Sequence, residues 1–384
     1  MNRERIPLTL IYCAFGGRDE ERRTAALKAL WEMDALQDKL PAQAMVLELV
    51  CGAEAPMLEP GDIPGWIEYE RIEGTPANRN MFHKEGLWNV GISKSLNDSI
   101  LCMDIDTYPT RKDYLQRVPA TIQKGTLVHP MAAVIYPGNN AAMLSVTREG
   151  VPPERMDVPI SYDKWTGSAL AFHKADMDGI GLPSQCITRG GDFITFAERT
   201  SYMDSTVSDL ASRMKMVRPD LPQLELVGMP DVLVHSYHGP FENRGHRFNH
   251  DVLMLLGHPD SYTSVDKNGV RAWNDPECWF ADVLVEHADP GDVQKTMDRV
   301  WQSARNKLVE SAMKSADIQR SGSLHYDKET GHKITKLEIT EGVNKNLVPE
   351  IVDDKPEEEK PAEEPEKKQE EVHIKTPEQG TKGL

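Results

Sequence analysis

Ser99-Ile100-Leu101-Cys102-Met103-Asp104-Ile105-Asp106-Thr107-Tyr108-Pro109 is the stretch on which the fold turns. A short apolar run, then two carboxylates one residue apart, then a sharp stop at Pro109 reads as a buried strand with Asp104-Ile105-Asp106 at its carboxyl end. The text upstream supplies its neighbours. Leu8 to Ala14 (LTLIYCA) predicts another buried strand, followed by Gly16-Gly17 and an amphipathic helix over Asp19 to Gln37, where Ala26, Leu27, Leu30, Trp31 and Met33 recur at helical spacing. Ala44 to Val50 (AMVLELV) predicts a second strand, Trp66 to Ile72 a weaker third, and Phe82 to Ser95 a helix. Strands separated by helices predict a parallel α/β sheet of Rossmann-like character. Open sheets of that kind bind ligands beyond the carboxyl ends of their strands, which is where the two aspartates fall.

Beyond this half the text changes. From Leu127 to Pro183 it is rich in Pro and Gly with short apolar runs (Ala132 to Tyr136, Ser168 to Phe172), predicting mixed strands and loops around a site. From Phe248 the pattern turns helical (Val252–Leu256, Trp279–Val285, Val293–Val309), and Trp273, Trp279 and Trp301 read as core residues. The expected organisation is a first domain over 1–250, a helical extension over 251–345, and an acidic tail over 346–384. The tail text KPEEEKPAEEPEKKQEE cannot bury enough apolar surface to offset chain entropy, so disorder is expected there.

The formal charge is -17, and the tail from Glu350 contributes 12 acidic residues against 6 lysines, so the remainder is acidic too. That balance disfavours a protein that coats nucleic acid, because phosphate binding rests on Lys and Arg neutralising the backbone. Five cysteines are scattered without a Cys-x-x-Cys pair, and Cys13, Cys51 and Cys102 lie in or beside strand-like runs, as buried free thiols do. Met1 to Pro7 is too polar for a signal sequence, and no apolar stretch approaches the roughly 18 residues needed to cross a bilayer. The expectation is a soluble protein of a bacterial or virus-infected cytoplasm. No internal repeat is present.

Three features carry chemistry. Asp104 and Asp106 at a strand end suit a hard divalent cation, which takes oxygen ligands; paired carboxylates there also serve as caps or solvated turns. Val232 to His238 (VLVHSYH) is a second apolar run delivering His235 and His238, and an imidazole joining two carboxylates favours Mn²⁺ over Mg²⁺, with Mg²⁺ still admissible. Trp165-Thr166-Gly167-Ser168 and Arg189-Gly190-Gly191-Asp192-Phe193 form the third. The paired glycines permit close backbone approach to a ligand and leave Asp192 exposed as a candidate general base, or as part of a tight turn capping the following helix.

At these residues the sequence resembles the GT-A glycosyltransferases, and within them the β-1,4-galactosyltransferase type of catalytic domain. Phe82-His83-Lys84-Glu85-Gly86-Leu87-Trp88-Asn89-Val90-Gly91 resembles that family's Phe-Asn-Arg-Ala-Lys-x-x-Asn-x-Gly block, Trp165 to Arg199 its Gly-Gly-x-x-Ala…Gly-Gly-Glu-Asp region, and His235 to His238 its late Met-x-x-His segment. The blocks run in the family's order over residues 8 to 250. The resemblance implies a GT-A mixed sheet flanked by helices, a UDP-sugar donor, and inversion by direct displacement onto a glycan or other hydroxyl acceptor. It implies Asp104, Asp106, His235 and His238 as metal ligands and Arg18, Lys84, Asn89 and Asp104 as donor contacts. Trp165, Gly167 and Gly191 would be acceptor contacts and Asp192 the base, or an acceptor contact in its place. Cys51-Gly52 stands where an acidic residue is expected to read the uridine or ribose, with Glu48 and Glu54 nearby.

Two other readings fit parts of the pattern. A soluble transferase could act on hydroxymethylated bases of viral DNA, which the acidic balance disfavours. A degenerate domain retained as a binding module would explain why the family's Glu-Asp pair is reduced here to Asp192-Phe193.

Overall fold

The computed structural model describes residues 3–79, 81–137, 141–145, 160–165, 167–187, 191–200, 218, 220–236, 259–261 and 263–274. All of them lie in the compact unit Met1–Ser311. In chain order the elements are β1 (Arg5–Phe15), α1 (Glu20–Leu36), β2 (Leu40–Cys51), β3 (Glu68–Gly74), α2 (Lys84–Lys94), β4 (Ser99–Met103), β5 (Thr107–Pro109), α3 (Tyr114–Thr121), β6 (Thr126–His129), β7 (Ala133–Tyr136), β8 (Ala141–Ser145), β9 (Ile160–Trp165), β10 (Ala169–His173), α4 (Gly191–Arg199), β11 (Glu225–Gly228), β12 (Val232–His235), β13 (Thr263–Val265) and β14 (Arg271–Trp273).

Seven strands form the main sheet in the order β11-β6-β10-β4-β1-β2-β3. Its β3-β2-β1-β4 half is parallel, and β10 runs antiparallel to both β4 and β6, so the sheet is the mixed α/β sheet expected. The central strand β1 is buried on both faces, which is why it reads as an unbroken apolar run and not as an alternation. Its residues divide between two cores. Leu8, Leu10 and Tyr12 pack with Leu30, Met33, Tyr114 and Val118 under α1 and α3. Ile11 and Cys13 pack with Leu87, Trp88, Ile92 and Phe196 under α2 and α4. That period-2 split is the strand geometry acting on sequence. A side chain at Gly91 would meet Ile11 Cγ2 at 2.5 Å, so glycine is what lets α2 lie this close to β1.

Asp19 caps α1, its carboxylate accepting from the backbone N–H groups of Glu21 (2.9 Å) and Arg22 (3.1 Å). Trp31, which shares the helix's apolar spacing, is not core: it is 49% exposed and its indole N–H donates to the Asp62 carbonyl at 2.8 Å. Ala25, Ala26 and Ala29 line the buried face instead, allowing close helix-on-sheet packing. Cys13, Cys51, Cys102 and Cys186 are buried free thiols.

A second sheet, β5-β12-β7-β8-β9, stands beside the first. Its β12 lies antiparallel to β5 and pairs His235 with Thr107, one residue beyond Asp106. Within the segment expected to be a helical extension, residues 263–274 instead form the hairpin β13–β14. The side chain of Asn78 donates to the Asp266 carboxylate (3.0 Å) and to the Arg271 carbonyl (2.8 Å), the Trp273 indole donates to the Arg79 carbonyl (3.0 Å), and Val270 is buried in the α2 core. Short runs such as Arg271-Ala272-Trp273 carry too little periodicity to distinguish strand from helix. Pro259–Ser261 form a short 3-10 turn, and the other residues of the expected extension and the acidic tail lie outside the described residues. Among the described residues no helix is long and apolar enough to cross a membrane.

Candidate functional site

The site forms where the two sheets meet at the carboxyl end of β4. Asp104 follows the strand directly and its backbone N–H donates to the Ser168 carbonyl at 2.8 Å, in register with β10. Ser168, fully buried, holds a φ of +78°, the one non-glycine residue with positive φ among those described. That conformation costs free energy and marks a chain over-determined by its surroundings. Asp106 is fixed from the other side, its carbonyl accepting from the Ser236 N–H at 2.8 Å. The β5–β12 register therefore carries His235 to Asp106 by backbone geometry.

Asp104, Asp106 and His235 present one ligand atom each, all within 4.8 Å of one another. The His235 Nε2 lies 3.4 Å from Asp106 Oδ1. Its Nδ1 lies 3.0 Å from the Ser236 carbonyl oxygen, which can only accept, so Nδ1 is a donor and Nε2 is the ring nitrogen that faces the carboxylates, a ligand atom whenever it is unprotonated. Tyr136 stacks at a tilt on the imidazole, with centroids 4.8 Å apart. Ligands about 2.1 Å from one cation lie at most about 4.2 Å apart, so small side-chain movements suffice to close the set. Two carboxylates and an imidazole with a fixed tautomer fit a divalent ion of the Mn²⁺ or Mg²⁺ kind. His238, expected as a fourth ligand, lies outside the described residues.

Lys84, expected to meet a diphosphate, pairs with two carboxylates of the site. It is 7% exposed, its Nζ lies 3.1 Å from Asp104 Oδ1 and 3.4 Å from Asp192 Oδ2, and it sits 4.7 Å above the Trp88 ring. Burial opposes its charge, but Asp104, Asp192 and Glu85 outweigh that and hold the ammonium above the ordinary lysine value. Lys84 thus joins the metal-side carboxylate Asp104 to Asp192, which lies in the first turn of α4. Beside it Glu85, absent from every sequence expectation as a site residue, is 2% exposed. Burial, with Asp192 adding to it and Lys84 opposing, pushes its carboxyl up to about 8.

The remaining expected residues divide. Gly191 opens α4 against Glu85, and Gly167 is buried just before Ser168. Trp165 ends β9. Asn89 is occupied in holding the 181–182 loop: its amide donates to the Leu182 carbonyl (2.9 Å) and accepts from the Leu182 N–H (2.7 Å). Arg18 stands past the carboxyl end of β1 and pairs with Glu20 at 2.6 Å. Glu48 is fully buried and taken up by the N–H groups of Met57 and Leu58 and the Tyr69 hydroxyl, which leaves it unable to read a nucleotide. Glu54 accepts from the Cys51 N–H at 3.1 Å and lies 3.7 Å from the Arg79 guanidinium, at the ends of β1 and β2. Arg79 carried no signal in the sequence, because its placement depends on the distant hairpin that holds its carbonyl.

No family model matches the chain, and no curated protein matches it. Among solved structures it is similar to a mannosyltransferase from Pyrobaculum calidifontis in complex with GDP-Man and Mn²⁺, at 16% identity over 83% of this chain and 76% of that one, with a TM-score of 0.33. It is similar to S. aureus TarS 1-349 at 11% identity over 79% of this chain and 80% of that one, TM-score 0.32. A Drosophila β-1,4-galactosyltransferase 7 mutant, in complex with manganese, UDP-Gal and xylobiose, shares 15% identity over 57% of this chain and 64% of that one, TM-score 0.30.

Proposed function

We propose that this chain is a glycosyltransferase that uses a divalent cation to transfer a sugar from a nucleotide-diphosphate donor, a UDP-sugar by its sequence resemblance, to a hydroxyl acceptor with inversion. The observation that carries the reading is the convergence of Asp104, Asp106 and the Nε2 atom of His235 at the carboxyl end of β4. Such a cation, bound by these three residues, supplies positive charge for the diphosphate leaving group in an otherwise acidic protein. Asp104 and Asp106 would hold it from one strand end and His235 from another, and the relative placement of these residues is set by sheet register. Lys84 keeps Asp104 and Asp192 at a fixed separation through its two ion pairs. Asp192 is the proton acceptor for the incoming hydroxyl: it is a carboxylate at a helix start, with its side chain 13% exposed, beside the metal ligands. As the hydroxyl oxygen bonds to the anomeric carbon, its proton passes to Asp192 and the bond to the diphosphate oxygen breaks.

The test is calorimetric titration of UDP with and without Mn²⁺, followed by a screen of UDP- and GDP-sugars for metal-dependent hydrolysis. Mn²⁺-dependent UDP binding is expected in the wild type and its loss in Asp106→Ala. Equal binding in both proteins, or binding indifferent to Mn²⁺, would falsify the reading.

A further inference from the structure

Glu85 is the one buried carboxyl in this neighbourhood that the proposed chemistry leaves without a task. It directly follows Lys84 in the first turn of α2, is 2% exposed, and its Oε1 has no hydrogen-bond partner. A carboxyl desolvated without a full set of partners is costly, and such groups are retained where they do something. What it touches is Gly191: a Cβ built on that glycine would fall 2.3 Å from Glu85 Cδ and 2.4 Å from Oε1, far inside any tolerated contact. The backbone that opens α4 therefore lies directly on the Glu85 carboxyl. The groups facing it are Lys84, Asp192 and Asp104, with the thiols of Cys13, Cys102 and Cys186 also close enough to interact with it.

The two ends of α4 are held differently. Its far end is anchored by Phe196 in the core and by Arg199, whose guanidinium donates to the Asp176 carbonyl at 2.9 Å. Its first turn meets α2 through Lys84 and Glu85, and that is the turn carrying Asp192. From this we infer that Glu85 is a positioning residue: its carboxyl is the seat on which the first turn of α4 rests, and it sets where Asp192 meets Lys84. The functional weight of that position rests on the role proposed above for Asp192; the seat itself does not. It also explains why the first helical position of α4 takes glycine, a poor helix former. The space a Cβ needs is filled by a side chain from another element.

The test uses four variants in the full chain: Glu85→Ala, Glu85→Gln, Gly191→Ala and the double variant Glu85→Ala/Gly191→Ala. Turnover and donor KM with Mn²⁺ are measured, together with amide hydrogen exchange over residues 191–199. Gly191→Ala inserts a methyl into the carboxyl, and Glu85→Ala leaves the turn without its seat. Each is expected to lower kcat by on the order of tenfold to 10²-fold with donor KM little changed, as an ångström-scale misplacement does. Each should also speed exchange in the first turn of α4. Glu85→Gln keeps the shape and is expected to retain turnover within about twofold. In the double variant the methyl occupies space the carboxyl vacated, so the two losses fail to add and most of the turnover and protection returns. Additive losses overturn the inference, as do wild-type turnover and exchange in Glu85→Ala, or a Glu85→Gln variant as impaired as Glu85→Ala. Should no nucleotide sugar be turned over by the wild type, the glycosyl-transfer reading falls while the exchange pattern still decides whether Glu85 seats α4.

Discussion

Asp106 and Asp192 are held by different physics. Asp106 is locked by main-chain register: its carbonyl bonds the Ser236 N–H, Thr107 pairs with His235, and the strand before it is buried in a seven-stranded sheet. Asp192 stands on a nine-residue helix whose first turn is placed by side chains, through an ion pair to Lys84 and the Glu85 carboxyl. Backbone ladders tolerate side-chain change, whereas a position set by packing responds to a single methyl. The metal side should thus fail only when a ligand is removed, and the acceptor side should fail by displacement as well.

The largest effect tests the sheet-held side. Asp106→Ala is expected to reduce metal-dependent turnover by about 10³-fold or more, corresponding to several kcal/mol of lost charge stabilisation, and to abolish Mn²⁺-dependent UDP binding measured by calorimetry. Asp192→Asn comes next. It should lower kcat by about 10²- to 10⁴-fold while leaving Mn²⁺-dependent UDP affinity at the wild-type value. If UDP affinity falls in parallel with kcat, the two sides are not independent and the contrast is lost. His235→Ala is expected to weaken Mn²⁺ more than Mg²⁺, by about tenfold, since the remaining donors are hard oxygens; parallel titrations with the two ions read this directly.

A further effect, one of stability, separates Glu85 from the rest. Its carboxyl is raised from 4.5 to about 8, so the folded chain keeps a proton that the unfolded chain gives up. The stability contributed is fully present below about pH 4.5 and is lost as pH rises through 8. Glu85→Gln removes that dependence. Chemical denaturation should find the variant and wild type similar near pH 5, with the variant more stable by on the order of a few kcal/mol near pH 9.

The same contrast explains what could be read from the sequence. The β4 strand, the two aspartates at its end and the late strand bearing His235 were legible because each is an apolar run closed by polar residues, a local signal. Asp19 was legible as the start of α1 for the same reason. The neighbours in space were not: nothing local says that β10 enters the sheet antiparallel between β4 and β6, or that residues 263–273 return as a hairpin to hold the carbonyl of Arg79. Trp31 fits the helical spacing and still faces solvent, since the small alanines let the sheet sit nearer another face of α1. Lys84 and Asn89 stand in motif positions that suggest ligand contacts, and their contacts within the chain, one joining two carboxylates and the other fastening a loop, were not legible. Glu85 was invisible because Lys-Glu-Gly reads as a solvated helix start until α4 arrives from a hundred residues downstream and covers it. Gly191 was read as a point of close approach to a ligand, and the group that lies against it in the structure is the Glu85 side chain.

The pairing of β12 with β5 has a consequence for how the molecule is made. Asp106 and His235 are brought together by a strand that closes a chain loop from residue 106 to residue 235, so the cation-binding set cannot exist on a nascent chain until that strand has emerged. Closing a long loop is entropically costly, and its cost grows only logarithmically with length. A cation held at both ends acts as a reversible cross-link, binding the closed form and not the open one, and so stabilises the fold in proportion to the logarithm of its concentration. An ion bound at this site would then be part of the architecture as well as of the proposed chemistry, and its removal is expected to loosen the pairing of β12 with β5.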